Sequence, residues 1–346
     1  MTPIIEARSL GKHYRVAGGG LFGQSRRTLR ALDNVSLHVM PGETLGIVGE
    51  SGCGKSTLGR CLLRLTQSSS GRVLFEGEDI TTRSERALRR LRPRMQMVFQ
   101  DSYASLNPRR RIADLLSEPM RVHRQPSGAP HDRSFIAQRL RDLLDLTGLP
   151  ISALDRYPHE FSGGQRQRIN IARALALQPS LIVADEPVSA LDVSIQAQII
   201  NLFTDLRETL GLTYIFIAHD LSVVRQIASS VAVMYLGAIV ERGGTDSVLH
   251  APAHPYTAAL ITAVPEPVVS AGARSRVILK GDVPSPVSPP PGCRFHTRCP
   301  KAEARCSVEI PALRPLVPAP DEALHEVACH YPLHPASNVP DRYATG

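Results

Sequence analysis

The sequence predicts an α/β fold built on a parallel sheet covered on both faces, followed by a proline- and cysteine-rich C-terminal extension. Three observations carry this reading. Short unbroken apolar runs at 45–49 (LGIVG), 181–185 (LIVAD) and 213–218 (TYIFIA) are each bounded by turn or helix signals, as expected of strands buried on both faces. Helical patterns lie between them, for example over 135–147 and 194–210, and alternation of the two types defines the α/β class. Proline is unevenly spread, 17 of the 28 residues lying after His250, which places a boundary near residue 260. The Gly- and Arg-rich stretch 18–30 reads as a loop. No internal repeat or sustained heptad is visible.

With 346 residues, 42% of them hydrophobic and 21% charged, the chain can bury a full core and is not a disordered polyelectrolyte. Forty basic against 32 acidic residues give +8, a balance compatible with nucleic acid, anionic lipid or phosphate ligands. Six cysteines in a chain of this length are too few for a disulfide-stapled miniprotein. The N-terminus MTPIIEARSL lacks the apolar stretch of a signal peptide, so a cytosolic location is expected. No run approaches the roughly 18 apolar residues that span a bilayer. The longest, 231–240, is interrupted by Gly237, so a membrane role must come through a partner.

The strongest local motif is Gly49-Glu50-Ser51-Gly52-Cys53-Gly54-Lys55-Ser56-Thr57, which fits G-x-x-x-x-G-K-[ST] and follows directly on an apolar strand. Glycines let the backbone wrap closely enough for successive N–H groups to face phosphate oxygens. The following helix adds its N-terminal dipole, Lys55 a mobile charge and Ser56 a hydroxyl for Mg²⁺. A phosphate site of this kind needs an acidic partner, because Mg²⁺ takes oxygen ligands and hydrolysis needs a base beside the attacking water. The strand LIVAD supplies both at Asp185 and Glu186, although two acids after a strand can equally cap a turn. A second anion cradle, Ser162-Gly163-Gly164-Gln165, opens a helix between these two motifs. One nucleotide has little use for two cradles within a single chain.

That second cradle, within Phe161-Ser162-Gly163-Gly164-Gln165-Arg166-Gln167-Arg168, resembles the signature motif of the ATP-binding cassette (ABC) family, with Phe161 in place of the more usual Leu. The resemblance covers residues 4–260 and implies a P-loop nucleotide-binding domain with a RecA-like core, a helical subdomain and an antiparallel β subdomain. It also implies that the cradle of one subunit closes on ATP held by another. Residue by residue, Gln100 matches the glutamine that contacts Mg²⁺ and the attacking water. Glu186 matches the general base, Asp185 a Mg²⁺ ligand, and Asp192, in Ser189-Ala190-Leu191-Asp192, the dimer-facing loop. His219 matches the histidine that bonds the γ-phosphate, and Tyr14 is the candidate to stack on adenine. The expected organisation is a nucleotide-binding domain over 1–260, its helical subdomain over roughly 101–178, and an extension over 261–346.

The stretches 98–109, 156–177 and 185–202, together with HPYT at 254–257 and the AVPEP that follows, are similar to ATPase subunits of oligopeptide and dipeptide importers, the F-type in particular. Ser102 departs from a proline common there. The resemblance implies ATP hydrolysis driving peptide uptake at the cytoplasmic face of the inner membrane. The partners it implies are two transmembrane permease subunits, a second homologous ATPase and an extracytoplasmic substrate-binding protein. Nickel importers share much of the pattern and remain an alternative substrate class.

Four of the six cysteines, Cys293, Cys299, Cys306 and Cys329, sit in the extension, which has few apolar residues and would gain from a metal tying it together. Four thiols suit tetrahedral Zn²⁺ or an iron–sulfur cluster. The gaps of five and six residues between the first three fit paired zinc knuckles poorly, and the Cys-Pro step at Cys299 is found in iron–sulfur ligation. The tail of peptide-importer ATPases, which this one resembles, implies a [4Fe–4S] cluster. Zinc, free thiols or disulfides remain open. Cys53 and Cys61 read as small packing residues.

A rival class is a non-transport ATPase of the same family acting on DNA or ribosomes, for which the +8 charge is a motive. Those proteins usually carry a long coiled coil or two cassettes, and this chain has one cassette and no heptads, so no nucleic-acid partner is expected. A regulatory subunit with a dead site is disfavoured by the presence of Lys55, Asp185, Glu186 and His219.

Overall fold

The computed structural model describes residues 2–17, 26–123, 129, 131–263, 281–316 and 325–333. The chain divides into two compact units, interleaved along the sequence.

The first comprises Met1–Ile4, Val39–Thr44 and Thr82–Ile217. Its frame is three parallel strands, Met95–Val98, Leu181–Asp185 and Thr213–Ile217, with Val98 opposite Ala184 and Asp185 opposite Ile217. The last two strands are buried at every position, which is why they read as unbroken apolar runs. Phe203, on the helix Val193–Leu210, meets Tyr214 and Phe216 edge-on with ring centroids 5.3 and 5.5 Å apart, a favoured aromatic geometry that closes one face. The helices Ile112–Val122, Arg133–Leu146 and Gly163–Leu175 pack on one another. Their ends are set locally. Asp132 accepts the amide of Phe135 at 2.6 Å as an N-cap. The buried Arg139 donates to the carbonyl of Leu175 at 2.7 Å, closing the last turn of the neighbouring helix. Gly211 ends the helix Val193–Leu210 in the left-handed region.

The second unit comprises Ile5–His38, Leu45–Thr81 and Ala218–Gly346. One sheet holds four strands in the order Arg26–Val39, Ile5–Ala17, Ser70–Phe75 and Glu78–Asp79, and Ile5–Ala17 runs antiparallel to Ser70–Phe75. The expected loop over 18–30 is corrected in part: Arg26–Arg30 are strand, and 18–25 lie outside the described residues. A second set begins with Thr44–Val48, which runs parallel to Ser230–Tyr235. It continues antiparallel through Ala238–Gly244 to the short strands Glu326–Val327 and Arg314–Pro315. The extension therefore adds two strands to this unit. The apolar stretch 231–240 is a hairpin: Leu236 and Gly237 both take positive φ, 43° and 78°, as a two-residue turn between twisted strands requires.

The extension packs through Phe295, which is 1% exposed. Its ring lies 5.3 Å from Tyr235, 5.4 Å from Tyr256 and 5.6 Å from His254. A buried carboxylate, Glu241, accepts the amides of Ala253 and His254 at 2.6 and 2.9 Å and lies 2.7 Å from Nε2 of His325. The HPYT stretch, which opens the helix Pro255–Ala263, is thus held from both sides. Among the described residues no helix is long and apolar enough to cross a membrane.

Candidate functional site

In the second unit, the fully buried residues Leu45–Val48 of the strand Thr44–Val48 deliver the phosphate loop to the helix Lys55–Leu62. Two glycines there are required by geometry. Gly49 has φ 152°, and a Cβ on it would stand 2.2 Å from the carbonyl oxygen of Met234 and 2.8 Å from the Cys53 sulfur. Gly54, at φ 108°, would bring a Cβ within 2.4 Å of the Ala31 carbonyl oxygen. Gly54 is also the N-cap and brings no side chain to the first-turn amides, so that end of the helix suits an external anion. Lys55 is 3% exposed, and its Nζ donates to the carbonyls of Gly49 and Glu50 at 2.7 and 3.1 Å. Ser51 and Gly52 are exposed, while Ser56 and Thr57 are half-buried. Cys53 and Cys61 are buried, and desolvation pushes both thiols up, Cys61 to about 11. They therefore pack as neutral thiols rather than act as nucleophiles.

His219 belongs to the same unit. It is exposed and directly follows Ala218, whose amide donates to the carbonyl of Ile47 at 3.0 Å, two residues before Gly49. Tyr14, on the strand Ile5–Ala17, is 38% exposed and carries the Lys12 ammonium 4.7 Å from its ring centroid.

The first unit holds the acidic residues. Asp185, the last residue of its strand, is 1% exposed. Glu186 turns into the left-handed region at φ 47°, held by its amide on the Ile217 carbonyl at 3.0 Å and by the Ser189 hydroxyl on its own carbonyl at 3.0 Å. Gln100 and Glu186, 86 positions apart, are brought together: Nε2 of Gln100 donates to Oε2 of Glu186 at 2.8 Å. Ser162 and Gln165 form a capping box, the Ser162 hydroxyl accepting the Gln165 amide and the Gln165 side chain accepting the Ser162 amide. This arrangement leaves Gly163 and Gly164 at the head of the helix Gly163–Leu175. A Cβ on Gly164 would lie 2.5 Å from Ile195 Cγ2, and one on Gly163 3.4 Å from Leu191. The cradle is therefore seated against the loop containing Asp192, which is itself exposed as the N-cap of the helix Val193–Leu210.

Cys293 and Cys306 are buried, Cys299 and Cys329 half-buried, and none forms a disulfide. The Cys293 amide donates to the Cys306 carbonyl at 2.8 Å. Burial pushes the thiols of Cys293, Cys299 and Cys329 up, with neighbouring cysteines of the same set raising each further, Cys329 to about 11. Among the described residues, however, no group of three or more His, Cys, Asp or Glu side chains is placed to hold a metal ion.

One contact at the phosphate loop has no signal in the sequence. Arg298, one residue before Cys299, donates from both terminal nitrogens to the two carboxylate oxygens of Glu50, at 2.8 and 3.0 Å. The Glu50 amide in turn donates to the hydroxyl of Tyr256 at 2.9 Å.

Two family models match the chain: ABC transporter over residues 32–189, and oligopeptide/dipeptide transporter C-terminal region over 240–306. An oligopeptide transport ATP-binding protein of Bacillus subtilis is 50% identical over 329 residues, 94% of this chain and 97% of its own length. A probable peptide ABC transporter ATP-binding protein of Sinorhizobium fredii is 53% identical over 327 residues, 94% of this chain and 89% of its own. Among solved structures, a dimeric ATP-binding cassette bound to ADP and Pi superimposes with a TM-score of 0.61 at 27% identity, covering 70% of this chain and 98% of that one. The chain belongs to the ABC transporter family, in its oligopeptide/dipeptide branch, and is an ATPase.

Proposed function

We propose that the chain is the ATP-hydrolysing subunit that drives uptake of oligopeptides or dipeptides through membrane permease subunits. The observation that carries the reading is the phosphate loop, whose backbone at Gly49 and Gly54 leaves no room for a Cβ. The names of the relatives favour peptides over nickel, and transport over action on DNA or ribosomes. In this reading residues 1–260 form the cassette, with a helical subdomain over roughly 101–178, and 261–346 the extension. A second homologous ATPase, an extracytoplasmic substrate-binding protein and a site of action at the cytoplasmic membrane face complete the assembly.

Each residue's role follows from its chemistry. The amides of the 49–57 loop and Lys55 bind the phosphates, and Tyr14 offers an exposed ring to adenine. The Ser56 hydroxyl, the Gln100 side-chain carbonyl and the Asp185 carboxylate are the hard oxygen donors that Mg²⁺ prefers, and the ion would neutralise phosphate charge. Glu186 takes the proton of the attacking water, with Gln100 orienting its carboxylate, and His219 donates to the γ-phosphate. Ser162, Gly163, Gly164 and Gln165 complete the nucleotide site of a partner ATPase, and Asp192 faces that partner. Cys293, Cys299, Cys306 and Cys329 would hold a [4Fe–4S] cluster, with Zn²⁺ as the alternative. Their support is the chemistry of four free, buried or half-buried thiols within one extension, and the described side chains are not themselves placed as a metal-holding group.

The test is Glu186→Gln. ATP binding should stay within twofold of the native value while turnover falls by about 10²- to 10⁴-fold, the range lost with a general base. Native hydrolysis rates in the variant would remove Glu186 from that role.

A further inference from the structure

Within the second unit the extension touches the phosphate loop directly through Arg298 and braces it indirectly through the hairpin turn at Gly237. At one end, the Arg298 guanidinium grips the Glu50 carboxylate through two parallel hydrogen bonds, 2.8 and 3.0 Å long. Its side chain is 7% exposed, its Nη1 lies 3.4 Å from the Tyr235 hydroxyl, and its charge sits 5.9 Å from the centre of that ring. Bidentate pairing of this kind fixes direction as well as distance. At the other end, the Gly237 amide donates to the Cys53 carbonyl at 2.8 Å. That hairpin turn is held in turn by Arg294, which donates to the Leu236 carbonyl and pairs with Asp33.

Glu50 needs such a partner. It follows the first glycine of a loop shaped for a polyanion, and its carbonyl is one of the two that receive the Lys55 ammonium. An unpaired carboxylate there would oppose the phosphates electrostatically and draw on the same lysine. The pair spans 248 positions, so only a folded extension can supply the arginine.

We propose that the C-terminal extension is a working part of the nucleotide site, with Arg298 as a positioning residue that neutralises Glu50 and fixes the phosphate loop for ATP. The idea rests on the reading of that loop as the ATP site. It assigns to the extension a task separate from whatever its cysteines hold.

The experiment uses the full-length chain and a fluorescent ATP analogue. Native protein, Arg298→Ala, Arg298→Lys, Glu50→Gln and the Arg298→Ala/Glu50→Gln double variant are compared for analogue affinity and for the KM and kcat of ATP hydrolysis. Arg298→Ala should weaken binding and raise KM about tenfold, a typical coupling between two sites, with kcat within twofold. Arg298→Lys should recover part of the loss. The double variant should recover most of it, because removing the carboxylate removes the repulsion. An Arg298→Ala protein with native affinity overturns the proposal. So does a loss that Glu50→Gln fails to relieve, which would mean that Arg298 only stabilises the extension. Absence of binding by the native chain would instead sink the ATP-site reading itself.

Discussion

Lowering the pH from 7.5 to 5.0 should weaken the fold through one histidine. His254 is 1% exposed. Its Nδ1 accepts the Tyr256 amide at 3.1 Å, and its Nε2 is buried without a hydrogen-bond partner. The neutral ring therefore carries its proton on Nε2, and a second proton would have to displace the Tyr256 amide from Nδ1. Burial, opposed by the neighbouring Glu241 carboxylate, pushes the ring's pKa from 6.5 down to about 4. Because the folded value lies below the unfolded one, the unfolded chain takes up the proton first as pH falls. The contribution is complete above pH 6.5 and is lost on the way to 4. At about 1.36 kcal/mol per pH unit for one proton, roughly 2 kcal/mol should be gone at pH 5.0. Urea unfolding at several pH values, on native protein and on His254→Asn, isolates this term, since the asparagine carbonyl can accept the Tyr256 amide without titrating. The native chain should lose about 2 kcal/mol more than the variant between pH 7.5 and 5.0. Parallel losses in the two proteins would refute the assignment.

Gly49→Ala should abolish tight ATP binding, because the new methyl would stand 2.2 Å from the Met234 carbonyl oxygen in a backbone region that alanine rarely adopts. Equilibrium binding at least tenfold weaker is expected, with a strain of about 1–3 kcal/mol visible as a lower melting temperature; native affinity would show that the loop is not held as described. For the extension, protein purified without oxygen should show visible absorbance and about four irons per chain, and Cys299→Ser should lose both. A colourless, iron-free native chain carrying zinc would decide for the alternative metal.

Most of the site was legible because its determinants are local. The strand-to-helix turn at 49–57, the apolar strand ending in Asp185 and the helix-opening stretch Ser162–Gln165 are each written within a few adjacent residues. Family resemblance gave Gln100 and Glu186 separate roles, but their hydrogen bond was not legible, since nothing in either segment refers to the other. Arg26–Arg30 escaped notice as a strand because Arg27, Thr28 and Arg30 are all exposed, so the stretch lacks the alternation that Leu32, Val35, Leu37 and Val39, all buried, make plain further on. The grip of Arg298 on Glu50 spans 248 positions, and the packing of Phe295 among Tyr235, Tyr256 and His254 spans 39 to 60; no periodicity speaks for either.

In the proposed roles, the two neighbouring carboxylates give one strand end two tasks. Had the strand continued in its pleat, Asp185 and Glu186 would simply have pointed to opposite faces. Instead, the pleat stops at Glu186, whose left-handed backbone costs on the order of 1–3 kcal/mol and is held by the Ile217 carbonyl and the Ser189 hydroxyl. The outcome is a buried Asp185 and a half-buried Glu186 already bonded to Gln100. A metal-holding carboxylate gains from a fixed, desolvated setting, whereas a base must reach water and keep its orientation. Strain at this one residue separates the two environments. The same conformation that weakens the fold locally would therefore pre-set the proposed base, and Glu186→Gly would relieve the strain but remove the carboxylate.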